Sequence, residues 1–101
     1  MARPALLSTE ELAEHLKDIP LWRHEGATIV REIAASNFAA AIGFVNAIAI
    51  LAEKADHHPD LFVFGWNKVR ITLSTHDQGG LTVNDFKLAK AIDALSINTL
   101  A

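Results

Sequence analysis

The stretch Glu53–Asp85, EKADHHPDLFVFGWNKVRITLSTHDQGGLTVND, decides the fold that this sequence predicts. A long apolar helical pattern ends where the stretch begins, and a strongly alternating segment lies in its middle. In that segment Val69, Ile71 and Leu73 alternate with polar residues, which is the period-two pattern of a strand with one buried face. The run just before it, over 61–65, predicts the partner strand of a hairpin. The stretch therefore predicts a helix that leads directly into a β-hairpin.

The same stretch holds three of the five histidines. His57 and His58 precede Pro59 at the end of the helical pattern, and His76 follows the alternating strand, which is predicted over 68–75. A short hairpin brings the two ends of such a segment close in space. We therefore predict three imidazoles around one pocket.

Outward from this stretch, turn and capping signals divide the rest of the chain into further elements. The predicted elements are a first helix from Ser8 to Pro20, strands over 22–24 and 27–34 joined at Glu25–Gly26, a second helix from Phe38 to about Ala55 and a last helix opened by Thr82 and Asp85. Antiparallel strands with helices gathered on one face make an α+β fold. We predict a two-layer domain with a four-stranded antiparallel sheet and three helices on one face, in the order α-β-β-α-β-β-α. The 101 residues fit one domain, spanning 1–101.

Composition narrows the class of protein. The net charge is −3, and the nine Lys and Arg residues are scattered without a basic stripe, which argues against nucleic acid as a direct partner. Cysteine is absent, so a disulfide framework and a thiolate nucleophile are both excluded. The first residues, MARPALLSTEEL, lack the apolar core of a signal peptide. We therefore expect a soluble cytoplasmic protein.

The second helix is apolar nearly all round. Over 38–52 only Asn46 is polar, so the helix must be covered on more than one side. The run is shorter than the ~20 residues that a bilayer span needs, which disfavours a membrane segment. We expect one side to pack on the sheet and the other on a second copy of the chain, with Phe44 and Leu51 at that contact. In the alternative, the first and last helices cover the remaining surface.

Three interpretations compete for the histidines. They could be structural polar residues at element ends, ligands of a metal ion, or groups for acid–base catalysis near neutral pH. A proline after His58 favours extended backbone there, and adjacent side chains then point apart, which disfavours a shared metal. Glu53 lies one helical turn before His57 and could hold its ring in one tautomer. His15 and His24 are expected at the surface.

Several motifs occur together in this chain: Glu53-Lys54, His57-His58-Pro59, Trp66-Asn67-Lys68-Val69, Ile71-Thr72-Leu73-Ser74-Thr75-His76, Gly80-Leu81 and Asp85, preceded by the spacing of Phe38, Ala41 and Phe44. Together they closely resemble the pterin-4a-carbinolamine dehydratase family. The resemblance covers roughly residues 8–96. The double histidine before proline, followed by a strand ending Ser-Thr-His, is its most specific part.

The resemblance implies an activity, the removal of water from 4a-hydroxytetrahydropterin to give quinonoid dihydropterin, with no metal and no redox cofactor. Of the three candidate catalytic histidines, we expect His57 and His76 to exchange the protons and His58 to orient the pterin. The family's substrate contacts map onto Asp56, His57 and His58 and onto Ser74, Thr75, His76 and Asp77; we add Glu53 and Asp85 as candidates. For Asp85 a purely structural place at the helix start is the alternative.

The resemblance also bears on partners. It implies a homo-oligomer, a dimer or a tetramer, through the central helix, and a functional link to an aromatic amino acid hydroxylase that supplies the pterin. Some members of the family act as binding proteins, for example as a dimerisation cofactor or an assembly factor. A non-catalytic binding protein that uses the apolar central helix is therefore the alternative function.

Overall fold

A computed structural model describes residues 4–95. Its elements are α1 (Thr9–Leu16), β1 (Arg23–Glu25), β2 (Thr28–Ala34), α2 (Phe38–Ala55), β3 (Asp60–Phe64), β4 (Lys68–Leu73), a 3-10 turn (His76–Gln78) and α3 (Val83–Asp93). The four strands form one antiparallel sheet in the order β1-β2-β4-β3. The predicted α+β fold and its order of elements are confirmed.

The sheet has one apolar face, which forms the floor of the core. Register pairs Ile29 with Leu73 and Ile33 with Val69 across β2 and β4, so these side chains share one face. All four, with Ile71, are buried. The helices complete the core with Ala41, Phe44, Ile48 and Ala52 from α2 and Phe86, Leu88, Ala89 and Ile92 from α3. The predicted inward face of β4 is therefore confirmed.

Side chains at the helix starts satisfy backbone groups that the helices leave unpaired. Ser8 and Glu11 form the predicted capping box, in which the Ser8 hydroxyl accepts from the Glu11 amide at 3.1 Å and the Glu11 carboxylate accepts from the Ser8 amide at 2.8 Å. At α2 the Asn37 side chain accepts from the Ala40 amide at 2.7 Å. The bounds predicted for α2 agree with the structure.

Two predicted strand ends are shifted. The strand expected over 68–75 ends at Leu73, because Thr75 makes only an isolated bridge with Gly80 across the loop. Gly65, expected as the last residue of the third strand, lies in the turn with φ +54°. Glycine populates this left-handed region without a steric penalty, so the turn closes there.

The first strand is also shifted by one residue. It was expected over 22–24 but runs from Arg23 to Glu25. Trp22 is buried instead, and its indole nitrogen donates to the Asp93 carboxylate at 2.9 Å. A long-range contact to α3 therefore takes this residue out of the sheet.

The exposed side of α2 differs from the predicted one. Phe44 is 5% exposed and packs in the core, so it does not lie on the outer surface. The large apolar side chains that solvent reaches are instead Phe38, Ile42 and Ile50. The 18 residues of α2 are long and apolar enough to cross a membrane, judged by length and composition alone. The core helices of other proteins meet the same criterion, and one side of α2 packs against the sheet.

Candidate active site

The end of α2 turns sharply and presents the two adjacent histidines. Asp56 takes a left-handed conformation, with φ 51° and ψ 44°. Its amide donates to the carbonyl of Glu53 at 3.2 Å, and the His57 amide donates to the carbonyl of Ala52 at 3.1 Å. This pair of bonds is the Schellman motif, which ends a helix and redirects the chain. His57 and His58 therefore leave the helix together, at the edge of the sheet.

His57 is held by a buried carboxylate from α3. Its Nε2 atom lies 2.6 Å from Oδ1 of Asp85, and the His57 side chain is 11% exposed while that of Asp85 is fully buried. A carboxylate oxygen can only accept, so with Asp85 ionised the hydrogen resides on Nε2 of His57. The Nδ1 atom is then the ring nitrogen with a free lone pair. The structure thus sets both the orientation and the tautomer of this imidazole.

Asp85 is itself fixed by two threonines. Its Oδ2 atom accepts from the Thr75 hydroxyl at 2.8 Å and from the Thr82 amide at 2.9 Å. The two threonine hydroxyls lie 2.8 Å apart, so the network is closed. Buried polar groups need such partners, because an unpaired one carries a large desolvation cost. The predicted helix-start role of Asp85 is therefore confirmed, and the same carboxylate also holds His57.

His58 has a different partner. Its Nε2 atom lies 2.6 Å from Oε2 of Glu53, and both side chains are largely exposed. The expectation that Glu53 holds His57 is therefore wrong, because the Schellman turn points His57 towards α3. Since polar contacts between exposed side chains are weak, Glu53 orients His58 only loosely.

His76 approaches from the other end of the hairpin. It opens the 3-10 turn after β4, which Gly79 ends in a left-handed conformation with φ 73°. The backbone amides of Gln78 and Gly79 each donate a hydrogen bond to the carbonyl of Thr75 at 3.0 Å, and these two bonds fix the turn. Among residues 4–95 the imidazole of His76 has no hydrogen-bond partner, and it is exposed. This ring is therefore free to meet a ligand.

These elements enclose a pocket of about 220 Å³. It is lined by Asp56, His57, His58, Ser74, His76 and Asp77. The structure thus brings the three predicted histidines together with three further predicted contact residues. The other three predicted contact residues, Glu53, Thr75 and Asp85, lie outside the lining, since Thr75 and Asp85 are buried behind it and Glu53 is exposed beside it.

Sequence reasoning missed Thr82 as part of the site. The spacing of Thr82 and Asp85 was interpreted as a helix cap, and the same spacing directs the carboxylate back towards the loop. The other histidines lie away from the pocket. His24 is exposed as expected and contacts the carbonyl of Gly26, but His15 is half-buried and its ring stacks on Phe86 at 5.0 Å.

The described part of the chain holds no cluster of three His, Asp or Glu side chains suited to a metal ion. The pocket offers three imidazoles, of which those of His57 and His58 each contact a carboxylate, while that of His76 has no hydrogen-bond partner within residues 4–95. An imidazole can both give and take a proton near neutral pH. Fold and site together define an α+β domain with a small pocket equipped for general acid–base chemistry.

Comparison with known proteins identifies the family. The model of the family described as Pterin 4 alpha carbinolamine dehydratase matches residues 5–95. A Chloroflexus aurantiacus protein named "Putative pterin-4-alpha-carbinolamine dehydratase" is 52% identical over 88% of this chain and 95% of its own. A Nocardia farcinica protein of the same name is 47% identical over 90% of this chain and 95% of its own. This chain belongs to the pterin-4-alpha-carbinolamine dehydratase family.

Solved structures agree with this assignment. A transcriptional coactivator/pterin dehydratase from Brucella melitensis superposes with a TM-score of 0.83 at 35% identity, over 88% of this chain and 96% of that one. A pterin dehydratase-like protein identified as a RuBisCO assembly factor in the alpha-carboxysome superposes with a TM-score of 0.57 at 24% identity, over 72% of this chain and 83% of that one. This second likeness concerns the fold alone.

Proposed function

We propose that this protein removes water from a pterin-4a-carbinolamine and releases the quinonoid dihydropterin, in the cytoplasmic recycling of a tetrahydropterin cofactor such as tetrahydrobiopterin. The observation that carries the proposal is the convergence of His57, His58 and His76 on one pocket, with a buried carboxylate behind His57. The pocket volume, about 220 Å³, lies below the roughly 300–1,000 Å³ typical of drug-sized ligands, which suits a bicyclic ring. Membership of the family supplies the substrate class.

The reaction needs two proton transfers. The 4a-hydroxyl must gain a proton to leave as water, and the proton on N5 must be lost as the new double bond forms. In our proposal His57 accepts the N5 proton through Nδ1, because Asp85 holds Nε2 and stabilises the imidazolium. His76, whose ring is free, donates to the leaving hydroxyl. One proton is taken up and one released, so the reaction balances without a metal or redox cofactor.

His58 orients the pterin in this proposal. It lines the pocket, but its Nε2 atom is engaged by Glu53 in an exposed pair. Asp56, Ser74 and Asp77 also line the pocket and supply polar contacts to the heterocycle. Thr75 and Asp85 act from behind the pocket wall by holding His57, which makes them positioning residues rather than substrate contacts.

Turnover of a freshly generated 4a-carbinolamine tests the proposal. His57→Ala and His76→Ala should each lower kcat by about 10²–10⁴-fold, the range for a lost general acid or base. His58→Ala should mainly raise KM. The uncatalysed dehydration must be subtracted at several pH values. A folded His57→Ala, His76→Ala double variant that keeps full activity would sink the acid–base mechanism.

The choice of control matters in this experiment. His24→Ala is suitable because His24 is exposed and distant from the pocket lining. His15→Ala is unsuitable, since His15 stacks on Phe86 and its loss perturbs packing next to Asp85. If His24→Ala keeps full activity, the losses in His57→Ala and His76→Ala result from removing a pocket imidazole and not from removing just any imidazole.

A second role as a binding protein is favoured by one observation. Phe38, Ile42 and Ile50 on α2 are 56%, 39% and 70% exposed. We propose that this apolar surface of α2 mediates self-association, as a dimer or a tetramer, and offers a contact for other proteins. The Brucella melitensis relative described as a coactivator and dehydratase supports a dual role, and a functional link to an aromatic amino acid hydroxylase follows from the proposed substrate.

A further inference from the structure

A second cavity lies between α2 and α3, away from the histidines. Its volume is about 320 Å³, and it shares no lining residue with the histidine pocket. It is lined by Leu51, Lys54 and Ala55 from α2 and by Lys87, Leu88 and Ala91 from α3. Among the residues that the structure describes, the walls are therefore apolar apart from two lysines, and none of the lining side chains is acidic.

The two lysines stand out among the basic residues. Within residues 4–95, five basic side chains form ion pairs with Asp or Glu, namely Lys17, Arg23, Arg31, Arg70 and Lys90. Three do not, namely Lys54, Lys68 and Lys87, and two of these three line the cavity. Both lysines at the cavity are exposed to solvent, and neither forms an ion pair with an Asp or Glu side chain of residues 4–95, so their ammonium groups are available to an external anion.

The helix dipole favours the position of one of these lysines and does not favour the position of the other. Lys54 lies in the last turn of α2, where the helix dipole favours a cation. Lys87 lies in the second turn of α3, near the end where the dipole favours an anion. Its position therefore gains nothing from its own helix, and an external anion would be its natural partner.

The cavity also differs from the exposed apolar surface of α2. At 100° per residue, Leu51 and Ala55 lie on the flank of the helix that faces α3, whereas Ile42 and Ile50 lie on the outer side. A ligand in the cavity would therefore leave the outer surface open for a protein contact.

We propose that this cavity is a second ligand site, for a small carboxylate with an apolar aryl or alkyl body. The leucines and alanines bury the body, which is favourable because apolar surface leaves water. The two ammonium groups bind the carboxylate by charge-assisted hydrogen bonds, which are stronger than neutral ones. The volume lies at the lower end of the range for small-ligand sites, about 300–1,000 Å³.

Calorimetric titration with octanoate and with octanol tests both parts of the proposal. Octanoate should bind with one-to-one stoichiometry, and octanol, which has the same chain without the charge, should bind about tenfold more weakly or worse. Lys54→Gln together with Lys87→Gln should lower octanoate affinity by about tenfold or more. Lys68→Gln is the matched control, because Lys68 is also unpaired but lies outside the cavity.

A cavity-filling variant locates the ligand. Ala91→Leu should abolish octanoate binding while carbinolamine turnover stays unchanged. Circular dichroism should show that the variant folds. If it does not fold, the comparison of the Lys54→Gln, Lys87→Gln double variant with Lys68→Gln tests the proposal instead. A dihydropterin analogue should not displace octanoate. The proposal fails if octanoate does not saturate at millimolar concentration, if Lys68→Gln weakens binding as much as the double variant, or if the analogue competes.

Discussion

At the residue scale, Asp85 sets the orientation of His57, which we propose as the catalytic base. It bonds Nε2 of His57, accepts from Thr75 and Thr82, and is fully buried. Asp85→Asn should keep the shape of the site but present an amide, which can donate as well as accept and no longer fixes one tautomer. We expect kcat to fall by about 10²-fold or more, with a smaller change in KM.

The split between kcat and KM separates positioning from a purely structural role of Asp85. If the carboxylate holds the His57 ring in its reacting orientation, Asp85→Asn should lower kcat far more than it raises KM or lowers the melting temperature. Asp93→Asn is a control, because Asp93 is a half-buried carboxylate that accepts hydrogen bonds from Trp22 and Arg31, away from the pocket. Equal losses of activity in both variants, tracking equal losses of melting temperature, would contradict the positioning role.

Asp56 combines a strained backbone with a place in the pocket. A left-handed conformation costs a residue with a side chain more than it costs glycine. Asp56→Gly should therefore stabilise the fold by roughly 0.5–1 kcal/mol, yet lower turnover because a carboxylate leaves the pocket. Chemical denaturation and the dehydratase assay check the two parts.

Asp56→Asn is the companion variant, since asparagine tolerates the left-handed region and lacks the charge. It should lose activity without a comparable gain in stability. Full activity in Asp56→Gly would show that the carboxylate at this position has no part in the reaction.

The His57–Asp85 pair also shows where sequence reasoning stops. Both residues were candidates, and Asp85 was expected at a helix start, which is correct. Glu53, one helical turn before His57, was the expected partner, but the left-handed turn at Asp56 rotates His57 away from it. Side-chain pairing across 28 residues depends on how a turn and a loop pack, and periodicity contains no such information.

At the element scale, strongly periodic segments were predictable and their ends were not. The bounds of α2 follow from a cap and an apolar run, and the inward face of β4 follows from alternation. The ends of β1 and β4 depend instead on Trp22 reaching Asp93 and on Thr75 meeting Gly80. Tertiary contacts override local preference at such edges.

The outer face of the sheet contains an ion pair with a defined pH response. Arg70 on β4 donates to Glu32 on β2 at 2.5 Å, and its guanidinium lies 5.0 Å from the ring centroid of Phe64. The hydrogen bond from Arg70 lowers the pKa of Glu32 below its ordinary value. The ion pair therefore stabilises the fold fully when the pH is above the ordinary pKa of a glutamate, 4.5, and this stabilisation is lost as the pH falls through the lowered pKa of Glu32.

Glu32→Gln tests this response. The variant should lose part of the wild-type decline in free energy of unfolding at acid pH, because glutamine does not titrate, and it should be less stable than wild type near neutral pH. Urea unfolding followed at several pH values between about 3 and 7 measures both. Parallel pH profiles for the two proteins would show that the ion pair contributes nothing. Glu14→Gln is the control, because Glu14 and Lys17 form an ion pair in which the two side chains are 73% and 70% exposed.

At the scale of the whole molecule, the proposed reaction site and the proposed association surface lie on different parts of the protein. The histidine pocket lies where α2 and β4 end. The exposed side chains Phe38, Ile42 and Ile50 extend along α2 from its start. Catalysis and association can therefore be changed separately, which makes each testable without loss of the other.

Self-association is tested on the outer surface of α2 with charged substitutions. Ile50→Glu and Ile42→Glu should give folded protein of lower mass by light scattering, because a charge at an apolar contact must be desolvated when the contact forms. Phe44→Glu should unfold the chain rather than dissociate it, since Phe44 lies in the core. Leu21→Glu, at a residue that is 64% exposed in a loop, is the control for added charge. A wild-type protein that is monomeric at micromolar concentration would contradict self-association through this surface.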